Sequence, residues 1–303
     1  MKNSVVICET SADRIDLFLS LNFNISRSAA VKLIDDDRVL KNGKTVKKRD
    51  CVNIGDKIEV SFPEPQPLEC EAQDIPLEIV YEDSDLLVVN KPKGMVVHPA
   101  AGNYDGTLVN ALLYHCKGSL SGINGVLRPG IVHRIDKKTS GLLMVAKNDI
   151  SHNFLAEQIK EHSFTREYEA IVHGVVKPDG GKIDAPIGRH PIKRKQMAVV
   201  EKNSKDAVTH FSVIKRYKNF THIRLRLETG RTHQIRVHMA YIGHPVAGDE
   251  VYGPRKAASG LDGQCLHAKK IGFIHPSSRE YLEFDSNLPD YFTKFLNSIN
   301  QGE

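Results

Sequence analysis

Cysteine is scarce in this chain and falls into no recognisable framework. The five residues Cys8, Cys51, Cys70, Cys116 and Cys265 are odd in number and include no C-x-x-C pair, which argues against a disulfide scaffold or a zinc knuckle. Long apolar runs are missing as well. None approaches the ~20 residues that a membrane helix needs. The opening stretch MKNSVVICETSADR has one early lysine and a short apolar patch, far less than a secretory signal core. There is no glycine-rich phosphate loop, no tandem repeat and no low-complexity tract. A soluble, cytoplasmic protein in a reducing compartment, with no membrane association, is the expectation.

What remains is an ordinary globular composition, 40% hydrophobic and 26% charged over 303 residues, long enough for one large domain and a smaller one. The formal net charge of +5 permits a polyanionic partner without demonstrating one. Residues 61 to 76, SFPEPQPLECEAQDIP, carry Pro63, Pro65, Pro67 and Pro76 among the acids Glu64, Glu69, Glu71 and Asp74. Such a segment is stiff, short of backbone donors and well solvated. It divides the chain into a small domain over 12–61, a linker over 62–76 and a large domain over 77–300.

The small domain begins with Ile15, Phe18, Leu19 and Phe23 at helical spacing. Ser26 caps a second helix that buries Ala30, Leu33 and Ile34. Asn42-Gly43 then predicts a type I′ hairpin, and Lys57 to Val60 a last strand. Between Arg38 and Arg49 lie six cations (Arg38, Lys41, Lys44, Lys47, Lys48, Arg49) and no acid. Charge alone does not separate a solvated face from a nucleic-acid surface. The large domain is strand-rich: LEIVYEDSDLLVVNKP, GLLMVAKN, REYEAIVHG, HFSVIKRY, THIRLRLE and LHAKKIGFIH read as strands, and ISHNFLAEQIKEH as a helix. The fold class is α+β on a mainly antiparallel sheet.

Three constellations hold candidate chemistry. In HRIDKKTSG, Asp136 sits among His133, Arg134, Lys137 and Lys138, between Arg128-Pro129-Gly130 and an apolar strand. An exposed loop acid would be unremarked, but one at a strand mouth is partly desolvated, and burial favours its neutral form unless a cation compensates. The segment LETGRTHQIRVHMAYIGHPVAGDEVYG supplies Arg231 and Arg236 with His233, His238 and His244. Its spacing matches no zinc motif, so no metal is expected, and Arg236 is the candidate cation for Asp136. Tyr168, in FTREYEAIVHG, lies on a strand, where a tyrosine is usually core; if buried, its hydroxyl needs a partner.

Two resemblances organise these pieces. Arg14-Ile15-Asp16, Ser26-Arg27-Ser28, Val39-Leu40, Asn42-Gly43-Lys44 and Gly55-Asp56-Lys57-Ile58 resemble an S4-type RNA-binding module, a helix pair followed by a small sheet. RPGIVHRIDKKTSGLLMVAKN resembles the pattern R-P-G-I-V-H-R-L-D-x-x-T-S-G-L-L of the RluA-type pseudouridine synthases, with Ile135 in place of leucine. VVNKPKGMVVHPAAG, EYEAIVHG, APIGRHPIKRKQMAV, TGRTHQIRVH and GHPVAGDEVYG follow in the family's order. The match runs from about residue 14 to 290 and is closest to the RluD-like branch, which carries an S4-type domain.

The resemblance implies an RNA isomerase that works without a cofactor. Asp136 would be the catalytic aspartate beside the C1′–N1 bond, and Tyr168 would stack on the base and take part in proton transfer. Arg236 would pair with Asp136, and Ile235 would pack under the base. Arg134 would enter the RNA stack to eject the target. Lys44, Lys47, Lys48, Arg189 and Arg194 would meet RNA. Attack at C1′, addition to C6 and removal of the 2′ proton all use the same ionised acid and stay open. The partner would be structured RNA, most simply large-subunit (23S) ribosomal RNA or a pre-ribosomal particle, and the protein a monomer. Transfer RNA as substrate, or a non-catalytic ribosome-assembly protein, are the alternatives.

Overall fold

A computed structural model describes residues 2–23, 25, 27–62, 70–99, 103–123, 129–193, 196–254 and 260–301. The cap at Ser26, most of the proline segment (Pro63 to Glu69), Arg128, Arg194 and Lys195 lie outside the described residues. The chain divides into two compact units, Met1–Pro67 and Leu68–Glu303. Among the described residues, no helix is long and apolar enough to cross a membrane.

The first unit comprises β1 (Lys2–Ile7), α1 (Ile15–Asn22), α2 (Arg27–Asp35), β2 (Val39–Lys41), β3 (Lys44–Thr45) and β4 (Lys57–Phe62). Its sheet has the order β1-β4-β2-β3. Ile15, Phe18, Leu19, Ala30, Leu33 and Ile34 from the helices close over Val39, Ile58 and Val60. Asp16 is completely buried. It accepts from Arg14 Nε and Nη2, both at 2.9 Å, and from Arg27 Nε at 3.0 Å. The Arg14 bond, opposed by burial and aided by Arg27, holds its carboxyl down at about 2. The Asn42-Gly43 turn has φ of 52° and 78°, the left-handed pair that a type I′ hairpin requires. Strand β1 lies outside the patterning described above: it is an edge strand with Val5 and Ile7 exposed, so no apolar alternation marks it.

The second unit begins with β5 (Glu78–Glu82), β6 (Leu86–Lys91), α3 (Leu108–Cys116), β7 (Ser140–Ala146), α4 (Asp149–Lys160) and β8 (Thr165–His173). Next come β9 (Gly180–Asp184), β10 (Ile187–Arg189), β11 (Met197–Val199), β12 (Ser204–Lys205), β13 (Val208–Arg216) and β14 (Phe220–Leu227). It ends with α5 (Gln234–Tyr241), β15 (Leu266–Ile274), β16 (Tyr281–Asp285) and α6 (Asp290–Asn300). Nine strands form one sheet in the order β5-β6-β7-β15-β8-β14-β13-β9, with β16 on β15. Its pairings are antiparallel apart from β7 with β15. A three-stranded sheet, β11-β10-β12, stands apart from it.

Strand β7 explains why its sequence is apolar without alternation. Leu143 and Val145 pack with Leu87, Val89, Leu108, Ile135 and Tyr168 on one face. Leu142, Met144 and Ala146 pack with Leu155, Phe164 and Phe273 on the other. A strand covered on both faces reads as a continuous apolar run. The segment just before it therefore enters a buried environment, which is where Asp136 lies.

Candidate active site

Residues 131–139 run beside β7 before joining it. Ile131 bridges Val145, and the Met144 amide donates to His133 Nε2 at 3.1 Å. Burial, with Arg166 adding to it, pushes His133 down to about 3, so the ring is neutral and can accept that bond. Asp136 then opens a turn, its carbonyl accepting from the Thr139 amide at 3.0 Å. Gln264 Nε2 donates to Thr139 Oγ1 at 3.1 Å. Gly141 follows at φ +116°, with the Ala268 backbone packed where a Cβ would be. The Thr-Ser-Gly step is thus the point where β7 meets β15.

Lys91, at the end of β6, secures this turn from below. It is fully buried, and its Nζ donates to the carbonyls of Pro92 and Met95 at 2.8 Å and of Lys137 at 3.3 Å. Burial pushes its ammonium down to about 7, against the pull of the nearby Asp136 charge. Three carbonyls match the three donors of an ammonium. One is that of the residue after Asp136, so the lysine fixes the acid's backbone.

Helix α5 delivers the cation. Gln234 Oε1 accepts from Thr229 Oγ1 at 2.7 Å and from the Arg231 amide at 2.9 Å, and its Nε2 donates to the Val208 carbonyl at 2.9 Å. This ties the Thr-Gly-Arg turn to β13. His233, at φ 58°, reverses the chain into the helix. Arg236, one residue past Ile235, donates from Nη1 to Asp136 Oδ2 at 2.9 Å. Its Nε and Nη2 donate to Asp249 Oδ2 and Oδ1 at 2.6 and 2.9 Å. Burial opposes the guanidinium charge, but Asp249 and then Asp136 raise its pKa above the ordinary arginine value.

Asp249 is held in turn. Its Oδ1 accepts from the amides of Val251 and Tyr252 at 2.9 and 3.1 Å. The Tyr252 ring lies 5.1 Å from the Arg236 guanidinium carbon, and its hydroxyl meets His233 Nδ1 at 2.8 Å. His233 Nε2 stands 3.9 Å from Asp136 Oδ1. Burial pushes that imidazole's pKa down, while the Asp136 charge opposes the shift.

Asp136, Tyr168, Arg236, Ile235 and Arg134 all line one open cavity of about 370 Å³, with Leu227 and Leu266 completing its apolar wall. Tyr168 is 8% exposed, and its hydroxyl has no hydrogen-bond partner among the described residues. Burial raises its pKa, Asp136 adds to the rise and Arg166 opposes it. Arg189 lies elsewhere, in a second cavity with His190 and Lys202. In the other unit, Lys44, Lys47 and Lys48 are exposed. Sequence reasoning passed over Asp249, Lys91 and Arg166. The first two lie inside GHPVAGDEVYG and VVNKPKGMVVHPAAG, where a lone acid and a lysine beside a proline carry no signal of burial.

The two-carboxylate arginine beside an aromatic, apolar cavity has clear relatives. Residues 85–241 match the RNA pseudouridylate synthase family, and residues 13–58 match the S4 domain. The chain belongs to the RNA pseudouridylate synthase family. It is 51% identical over 294 residues to the uncharacterized RNA pseudouridine synthase YlyB of Bacillus subtilis, across 97% of this chain and 96% of that protein. Identity is 55% over 252 residues to ribosomal large subunit pseudouridine synthase D of Zymomonas mobilis, across 80% and 77%. Human RNA pseudouridylate synthase domain containing 1 superposes with a TM-score of 0.59 at 26% identity, over 78% of this chain and 98% of that one.

In this synthase the cavity offers a carboxylate, an aromatic ring and apolar walls for one flat base. Among the described residues the grouping with metal-like spacing is Asp83, Asp85 and His275, none of which lines the cavity. It is occupied by internal bonds: His275 Nε2 to Asp83 at 2.7 Å, Tyr81 to Asp83 at 2.6 Å, and Ser151 to Asp85 at 3.0 Å.

Proposed function

We propose that this synthase converts particular uridines of large-subunit ribosomal RNA into pseudouridine, with Asp136 as its catalytic carboxylate. The observation that carries this reading is the asymmetry of Asp136. Oδ2 is anchored by Arg236, while Oδ1 accepts no hydrogen bond among the described residues and stands 3.9 Å from His233 Nε2. One oxygen sets the orientation and the other is left for chemistry beside the sugar.

The reaction breaks the N1–C1′ bond and forms a C5–C1′ bond; a proton leaves C5 and a proton arrives at N1, so nothing is consumed. Uracil must turn over without escaping. Tyr168 above the base and Ile235 below it would hold the ring, and the unpartnered Tyr168 hydroxyl is free to meet a base atom or a proton in transit. The target must first leave its stack, at about a few kcal/mol. Arg134, exposed at the cavity rim, would fill the place vacated. Lys44, Lys47 and Lys48, with no carboxylate at ion-pair distance among the described residues, would contact phosphates, as would Arg189 and Arg194.

Ribosomal RNA is favoured by the relatives named large-subunit synthase D, among them one of Pseudomonas aeruginosa at 44% identity. A cytoplasmic monomer follows as the simplest form. The test is tritium release from [5-³H]uridine-labelled RNA of a strain lacking the protein, with ribosomal and transfer RNA assayed separately. Release from large-subunit RNA is the expected result. Release from transfer RNA alone would move the substrate class, and release from neither would contradict the function.

A further inference from the structure

Arg166 is 6% exposed, yet no carboxylate lies within ion-pair distance of it among the described residues. Among the described residues its Nε has no hydrogen-bond partner, and the one bond its guanidinium makes is Nη2 to the Glu228 carbonyl at 3.3 Å. A guanidinium carries five N–H donors and stays charged in proteins. Burying such a group with so little compensation costs free energy. The Phe164 ring, 5.3 Å away, offsets only part of that as a cation–π contact.

Its position gives the cost a purpose. Arg166 and Tyr168 are two apart on β8, and so share the face that lines the cavity. Nη1 fills the space beside the exposed Gly230, where any side chain would collide with it. Arg231, the next residue, lines the cavity and spends Nε on the Asp206 carbonyl at 2.9 Å; it also has no carboxylate partner among the described residues. Of the nearby carboxylates, Asp136 and Asp249 are both taken by Arg236, and that of Glu228 meets His210 Nε2 at 2.5 Å. Two arginines with no carboxylate at ion-pair distance among the described residues therefore flank Gly230 at the edge of a base-sized cavity.

We propose that Arg166 and Arg231 form a binding site for one backbone phosphate flanking the target uridine. The inference rests on the reading of the cavity as the uridine site. A phosphate supplies what both side chains lack, an anion with several acceptor oxygens, and Gly230 leaves the backbone low enough for it to approach. Its role is to position the nucleotide: a base held by its own phosphate cannot slide out while uracil turns over.

The experiment uses the full chain and a short RNA stem-loop that the wild type modifies, with a neutral methylphosphonate placed in turn at each linkage around the target. Single-turnover rates and binding are measured for wild type, Arg166→Gln and Arg231→Gln. For the wild type, one linkage adjacent to the target is expected to cost roughly 10- to 100-fold, the worth of hydrogen bonds to a charged group. In Arg166→Gln the same methylphosphonate should cost less than about threefold. Arg231→Gln, whose side chain is half-buried, gives the same reading should the Arg166 variant fold poorly. An undiminished methylphosphonate penalty in both variants would overturn the site. So would a uniform small penalty at every linkage, or a shifted pH–rate profile in Arg166→Gln with full phosphate sensitivity, which would make Arg166 an electrostatic neighbour of Tyr168. Absence of turnover by wild type on unmodified RNA would instead overturn the reading of the cavity itself.

Discussion

Asp249 grips Arg236 along its Nε–Nη2 edge at 2.6 and 2.9 Å, which leaves Nη1 to point at Asp136. An arginine bound to one carboxylate alone can pivot; bound to two, it holds the second in a fixed place. Asp249 is therefore a positioning residue, acting on Asp136 through Arg236. Asp249→Asn is expected to lower the single-turnover rate about a hundredfold, the scale of a misplacement near 1 Å, while RNA affinity stays within about threefold. Stability should fall by about 3–5 kcal/mol, since a buried cation loses its partner. Urea denaturation beside the rate measurement checks both; a rate within twofold of wild type would remove Asp249 from the site.

Acid should weaken the larger unit before it weakens the smaller one. His133 and His267 are held down at about 3 and about 4, mainly by burial. Their folded pKa values lie below the ordinary value of 6.5, so in acid the unfolded chain binds protons that the fold refuses. The contribution is fully present above pH 6.5 and is lost as pH falls through that value toward 3. For Asp16 the corresponding window runs from 3.8 down to about 2. Urea midpoints between pH 7 and 5 should drop for wild type, and His133→Gln should flatten that slope. An unchanged slope in the variant would contradict the assignment to His133.

Gly141→Ala is expected to destabilise the protein by about 2–6 kcal/mol, combining overpacking with left-handed strain. The new methyl would lie in the Ala268 backbone where β7 joins β15. Thermal denaturation reads the loss, and a variant with wild-type stability would show that the two strands part freely.

How much of this was legible beforehand differs from residue to residue. Strand β7 could be read because both of its faces are covered, and α1 and α2 because they bury one side each. Asp136, Tyr168, Ile235 and Arg236 stood in motifs whose order points to one family. Asp249 could not be read, because its partner is 13 residues away across a helix and nothing local marks it as buried. Nothing in FTREYEAIVHG marks Arg166 as buried; only the collision it would have with a side chain at Gly230 shows where it goes. Edge strand β1 and helix α3 left no clear period, and α3 is fixed instead by its cap, Thr107 Oγ1 accepting from the Asn110 amide at 3.3 Å.

The exposed lysines of the small unit should act on affinity alone. Replacing Lys44, Lys47 and Lys48 together by alanine should lower RNA affinity and reduce the salt slope by about 2–3, close to one phosphate contact each. The rate on saturating RNA should hold. Filter binding across a salt series separates this from the catalytic variants; an unchanged slope would place those lysines away from RNA.

The most direct test of the central claim is to incubate wild type and Asp136→Asn with total RNA from a strain lacking the protein, and to map pseudouridine by carbodiimide-dependent stops. New marks in large-subunit ribosomal RNA with wild type, and none with an Asp136→Asn protein that still binds RNA, are the expected result. The same marks from both proteins would contradict the assignment of the chemistry to Asp136.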